Sequence, residues 1–268
     1  MKIVFIGGGN MATAMLGGLL QQGYAANDLY VVEPDAGKRA QLASEFGVTT
    51  LAADVPLPAT DVAILAVKPQ QLAEVARNQA GALAGRLVIS IAAGIRMADL
   101  DRWLGGRARL VRVMPNTPAL VRAGVSGAWL GPQADIADRE VASRILQSVG
   151  QVVWVEQEQQ IDAITAISGS GPAYVFHFME SLVAAARELG FDATTARQLA
   201  YGTFDGAIKL AMASDDEVGT LREKVTSKGG TTAAALARMN EAGVQAGIVA
   251  GAHAACARAA ELADELGK

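Results

Sequence analysis

"VFIGGGNMATAM", residues 4–15, decides how the rest of the chain is read. A short β-branched run enters a glycine turn, and a helical pattern leaves it. The turn has the form G-x-G-x-x-A, as Gly7, Gly9 and Ala12. Gly7 permits a tight turn, Gly9 lets the backbone approach a pyrophosphate, and Ala12 allows close packing of helix on strand. The helix entrance at Asn10 and Met11 offers unpaired N–H groups and a partial positive charge to phosphates. Glycines alone also fit a plain turn in an α/β domain. The strand before and the helix after supply the context of a dinucleotide fold.

Outward from this stretch the first half keeps the same alternation. "LYVVE" (29–33), "VAILAV" (62–67), "LVISIA" (87–92) and "RLVRVM" (109–114) read as strands buried on both faces. Crossover helices are expected over 11–22, 35–46 and 70–80. "VSGAWLG" (125–131) and "QVVWVE" (151–156) extend the sheet around a helix at 137–149. After about residue 157 every pattern is helical and rich in Ala and Gly. The expected fold class is therefore α/β, a Rossmann-type doubly wound sheet over 1–156 followed by an all-helical domain over 157–268. The small-residue helix faces suit a core within one chain or an interface between two.

The bulk numbers narrow the function. Apolar residues make up 51% of 268 and charged residues 19%, a globular composition. The net charge of −4 gives a nucleic-acid partner no electrostatic support. A single cysteine, Cys256, excludes an intrachain disulfide framework and any cysteine zinc cluster. His177 and His253 do not share a metal-ligand spacing, so no metal is expected. Both lie on apolar helical stretches, where a lone histidine is packed more often than catalytic. No window reaches the ~18–20 apolar residues of a membrane helix. The opening lysine and apolar run resemble an export leader, but Asn10 and the glycines interrupt it. A cytoplasmic location and no membrane partner are expected.

Further motifs fall where ligands bind in such sheets. Glu33 ends the second strand, where an acid accepts hydrogen bonds from the adenosine ribose hydroxyls and repels a 2′-phosphate. Lys38 and Arg39 follow closely and can offset that repulsion, so NAD and NADP both stand. Ala66, Val67, Lys68 and Pro69 close another strand near the expected nicotinamide end. Two prolines flank Asn116 and stiffen its loop, as a site wall requires. Lys68 and the loop at Asn116 read equally well as surface and structural features. Finally, "TSKGGTT" (226–232) packs hydroxyls and two glycines at a helix entrance. Gly229 and Gly230 bare the backbone, and Ser227, Thr231 and Thr232 add hydroxyls. Together they form an anion nest suited to a carboxylate. An ordinary N-cap needs one hydroxyl, not this set.

Four segments in this order resemble the pyrroline-5-carboxylate reductase family: "FIGGGNMA" (5–12), "AVKPQ" (66–70), "MPNTPA" (114–119), and "SGSGPAY" (168–174) leading to "VTSKGGTT" (225–232). The last two are the most specific. The resemblance implies reduction of L-1-pyrroline-5-carboxylate to L-proline with NADPH or NADH, the last step of proline biosynthesis. It implies a helical domain that interlocks with its partner in a homodimer, alone or in a ring of dimers. It also implies that residues 227–231 bind the substrate carboxylate, with the Thr232 hydroxyl near the ring nitrogen. The family usually has proline where this chain has Lys228, and many relatives carry smaller polar residues near Glu33.

The chemistry asks for little acid–base power. A hydride adds to the imine carbon, and a protonated ring nitrogen makes that carbon more electrophilic. Thr232 is read as the group that orients this nitrogen, with Ser227, Gly229, Gly230, Thr231 and Asn116 as substrate contacts. Two rival readings remain at this level. One is another small-acid or imine reductase of similar plan, for instance a β-hydroxyacid dehydrogenase relative using Lys209, Lys224 or Lys228. The other is an NAD(P)-sensing regulator without turnover.

Overall fold

The computed structural model describes residues 1–268. Eight strands form one sheet in the order β3-β2-β1-β4-β5-β6-β7-β8. They are β1 (Ile3–Ile6), β2 (Leu29–Val32), β3 (Thr49–Leu51), β4 (Val62–Leu65), β5 (Leu87–Ser90), β6 (Arg109–Met114), β7 (Gly124–Leu130) and β8 (Gly150–Trp154). All neighbours are parallel except β6 and β7. The order reverses at β1, which puts its carboxyl end at the topological switch point where doubly wound sheets bind ligands.

Alternation along β1 shows why the sheet is covered twice. Ile3 and Phe5 pack with Ala12, Met15, Leu16 and Leu19 of α1 (Asn10–Gln21). Val4 and Ile6 face the other way and join a second cluster. That cluster takes Leu72, Ala76 and Leu83 from α3 (Pro69–Leu83) and Met97, Leu100 and Trp103 from α4 (Met97–Trp103). Helix α2 (Ala36–Phe46) joins the α1 side through Leu42, with Asp35 capping it through the Lys38 N–H at 2.7 Å. Each fully buried aliphatic or aromatic side chain contributes about 1.5–3 kcal/mol. The expected strands all form, and α5 (Ile136–Leu146) lies between β7 and β8. Within residues 1–156 one strand and one α-helix were not expected, the three-residue β3 and the helix α4.

The remainder is helical: α6 (Gln160–Ile164), a π-helical turn (Thr165–Gly169), α7 (Gly171–Glu188), α8 (Ala193–Met212), α9 (Val218–Lys224), α10 (Thr231–Glu241) and α11 (Val244–Leu266). Contacts group the chain into two compact units. The first comprises Met1–Ser170 with Ala254–Lys268, and the second Gly171–His253. Helix α11 therefore gives residues to both.

Candidate active site

In the first unit, Gly7 is required twice over. Its φ is +106°, a conformation that costs any other residue strain. A Cβ here would also stand 2.7 Å from the Ala66 carbonyl oxygen and 2.9 Å from the Val67 nitrogen. The Gly7 N–H donates to the Val32 carbonyl at 2.8 Å, and the Ala66 N–H donates to that of Ile6 at 2.8 Å. The turn after β1 is thus drawn against the end of β4. Gly9 is the N-cap of α1, with no side-chain cap and nothing within 4 Å of where a Cβ would stand. The first bond of the helix runs from the Thr13 N–H to the Gly9 carbonyl at 2.9 Å, so the N–H groups of Asn10 and Met11 have no partner within it. Lys68 is the exposed N-cap of α3, and Pro69 begins the helix. Bare backbone at a helix N-terminus, beside a strand end, fits the pyrophosphate of a dinucleotide.

Glu33 holds a position that the sequence pattern does not show. It is 7% exposed. One carboxylate oxygen accepts the Gly8 N–H at 3.0 Å, and the other accepts the Asp35 N–H at 3.0 Å. The side chain therefore ties the β1–α1 turn to the β2–α2 turn. Arg39 braces the same place, its Nη1 donating to the carbonyls of Glu33 and Pro34, each at 2.7 Å.

Asn116 is similarly committed. Its amide oxygen accepts the Val125 N–H at 2.8 Å, and its Nδ2 donates to the Ser168 carbonyl at 3.1 Å. The proline-flanked loop is thereby fastened to β7 and to the π-helical turn. A buried ionic cluster nearby lay beyond the sequence reading. Arg112, 4% exposed, pairs with Glu158 at 2.9 Å and Asp162 at 3.3 Å. A charged residue inside "RLVRVM" was the available signal, since an arginine in a buried strand demands counter-charges.

In the second unit, Ser227, Gly229, Gly230, Thr231 and Thr232 gather at the start of α10. Gly230 is its N-cap, with no side-chain cap. Gly229 takes φ +73°, and the Gly230 N–H closes a turn on the Ser227 carbonyl at 3.0 Å. The first intrahelical bond runs from Ala234 to Gly230, at 3.1 Å. The N–H groups of Thr231, Thr232 and Ala233 are left for an outside acceptor. No hydroxyl of this set caps the helix, so the nest is not spent on holding its own helix together. Lys228 is exposed beside it. Lys209 and Lys224 are ion-paired with Asp205 and Asp216.

The histidines differ from expectation. Both are exposed, His177 beside Glu180 at 3.5 Å. The reason is general to the unit, whose buried apolar side chains are only Ala196 and Ala200. No group of three or more His, Cys, Asp or Glu side chains is placed to hold a metal ion. No helix is long and apolar enough to cross a membrane.

Known proteins converge on one family. Residues 158–262 match the model of the pyrroline-5-carboxylate reductase dimerisation domain. Residues 2–94 match a model described as NADP oxidoreductase, coenzyme F420-dependent. The chain is 43% identical to the pyrroline-5-carboxylate reductase of Pseudomonas aeruginosa, over 100% of this chain and 98% of that one. A solved pyrroline-5-carboxylate reductase from Coxiella burnetii superposes with a TM-score of 0.92 at 39% identity, covering 97% of this chain and 98% of the other. The enzyme from Plasmodium falciparum, solved with NADP bound, gives 0.87 at 27% identity, covering 98% of each chain. A relative of such identity along the whole length leaves one assignment: the chain is an oxidoreductase and belongs to the pyrroline-5-carboxylate reductase family.

Proposed function

We propose that this protein reduces L-1-pyrroline-5-carboxylate to L-proline with NADPH or NADH, as the last step of proline biosynthesis. The observation that carries the reading is the helix entrance at Ser227–Thr232, left without a side-chain cap in a chain of this family, whose free N–H groups suit a carboxylate. In this reading the N–H groups and hydroxyls of Ser227, Gly229, Gly230 and Thr231 hold the substrate carboxylate. The Thr232 hydroxyl hydrogen-bonds the ring nitrogen and so orients the imine carbon. Gly7, Gly9, Asn10 and Met11 bind the pyrophosphate, while Ala66, Val67, Lys68 and Pro69 line the nicotinamide end. Reduced nicotinamide, when bound, supplies the hydride. Asn116 holds its loop in shape through Val125 and Ser168. Residues 1–156 serve the dinucleotide, and 157–268 serve substrate binding and dimerisation.

The dimer reading has its own support. Tyr174, Phe178, Leu182, Met239, Val244 and Ile248 line an apolar groove of about 650 Å³ within the second unit. A second copy of this chain covers such faces, in a dimer or in a ring of dimers. The work is assigned to the cytoplasm, with no nucleic acid or membrane involved.

The test is the absorbance of the reduced nicotinamide in the presence of pyrroline-5-carboxylate, with NADPH and NADH run in parallel. Oxidation that depends on the imine and yields proline is expected. Thr232→Ala should lower kcat by about ten- to a hundredfold, the scale of a lost orienting contact. Cofactor binding without oxidation would instead favour the sensing reading.

A further inference from the structure

Glu158 sits where three elements meet. Its Oε1 accepts the N–H of Met97, the first residue of α4, at 2.7 Å, and the Nη1 of Arg112 at 2.9 Å. Arg96, the N-cap of α4, makes no side-chain cap, so Glu158 is the cap this helix has. Arg112 reaches Asp162 with its other amino group, at 3.3 Å. Two loops are gripped in this way. One runs from the end of β5 to Met97. The other leaves β6 two residues after Arg112 and carries Asn116. Both emerge at the carboxyl edge of parallel strands, the edge that binds ligands in such sheets.

The same short segment holds the second loop again at its far end. The Asn116 Nδ2 donates to the Ser168 carbonyl at 3.1 Å, and the Ser168 hydroxyl donates to the Val125 carbonyl at 3.3 Å. From Glu158 to Ser168 the chain is therefore a brace across both loops. It ends in a π-helical turn, a rare geometry found often beside functional sites. The Cβ that Gly169 lacks would stand 2.7 Å from Met114 Cε, so the turn lies hard against the end of β6.

We propose that Glu158, acting with Arg112, is a positioning residue for the reduction: it touches no reactant but fixes the two loops at the reacting end of the site. The proposal rests on the reductase reading above. A purely stabilising ion pair would lower stability and leave turnover alone. A positioning pair changes kcat while the pyrophosphate turn at Gly7–Gly9, which it does not contact, keeps its affinity.

The experiment uses the full chain and begins with the wild type. If the wild type shows no imine-dependent oxidation, the reductase reading falls and the proposal with it. Given an active wild type, Glu158→Asp and Glu158→Gln are compared. The aspartate keeps the charge but is one methylene too short to serve both Met97 and Arg112. Its kcat should fall about tenfold, the cost of a small misplacement, with dinucleotide affinity within about twofold by fluorescence titration. The glutamine keeps the reach of its amide oxygen, and Asp162 still faces Arg112, so its kcat should return to within about threefold. Arg112→Lys, which loses the two-pronged fork, should repeat the aspartate signature and decides the matter if Glu158→Asp does not fold. Wild-type kcat in the aspartate or lysine variant, with only a lowered Tm, overturns the proposal. So does a glutamine variant as slow as the aspartate.

Discussion

The two compact units differ in what they bury. The sheet unit holds nearly the whole apolar interior, with Ile3, Val4 and Phe5 of β1 wholly inaccessible. The helical unit places only Ala196 and Ala200 among its buried apolar side chains. Its larger apolar residues face outward: Phe176 is 63% exposed, Leu210 58% and Met212 72%. Exposed apolar area on this scale marks an interaction surface. One unit completes its core within a single chain, while the other has the faces of a core without the far side. The helical unit thus has the surface of a half-structure, and we expect its stability to rise with protein concentration, as for any fold completed by a second copy.

That contrast can be broken from either side. Phe5→Ala cuts into the sheet unit and should cost about 3–5 kcal/mol, the range for a buried aromatic reduced to alanine. Denaturant unfolding should show this loss alike at low and high protein concentration. Phe178→Asp attacks the open groove and should cost about 1.5–3 kcal/mol per subunit from lost burial. Its signature is dissociation in sedimentation velocity, with the apparent midpoint no longer rising with concentration. An unchanged sedimentation coefficient would mean that this groove is not the contact between copies.

A smaller effect is expected at the start of α8 in the helical unit. Asp192 caps α8 by accepting the N–H groups of Thr194 and Thr195 at 2.9 and 3.0 Å. The Thr195 N–H, then the Thr195 hydroxyl, hold its carboxyl below the ordinary value. A depressed carboxyl stabilises the fold above its unfolded pKa, about 3.9, and that help fades as pH falls through the lower folded value. The gap in Tm between wild type and Asp192→Ala should therefore be small at neutral pH and close in acid. A gap that persists well below that range would assign the loss to packing instead.

Most of the sheet was legible because its strands are apolar throughout and separated by amphipathic stretches. Helix α4 was not, although Met97, Leu100, Trp103 and Leu104 carry helical spacing, because Gly94, Gly105 and Gly106 break up so short a run. Strand β3 has only three residues and no alternation to read. The cofactor turn could be found because glycine's conformational freedom leaves a sequence mark. The engagement of Glu33 with Gly8 could not, since a carboxylate meeting a ribose and one meeting a backbone N–H use the same letter. Arg112 and Glu158 lie 46 positions apart, and only the fold brings them together. At "SGSGPAY" the chain leaves the π-helical turn, and α7 starts at Gly171 with Pro172 in its first turn.

Helix α11 has a consequence for the order of assembly. Its last turns belong to the sheet unit: Arg96 pairs with Asp264 at 2.5 Å, across 168 positions of sequence, and Leu262 and Leu266 lie over Gly94. The helical unit is therefore an excursion between two parts of the sheet unit. A ribosome delivers β1 to β8 long before the segment that covers the β5–α4 loop. Closing so distant a contact comes late, since non-local pairings form slowly. The sheet unit should thus wait, one flank bare, until the entire helical excursion has been synthesised.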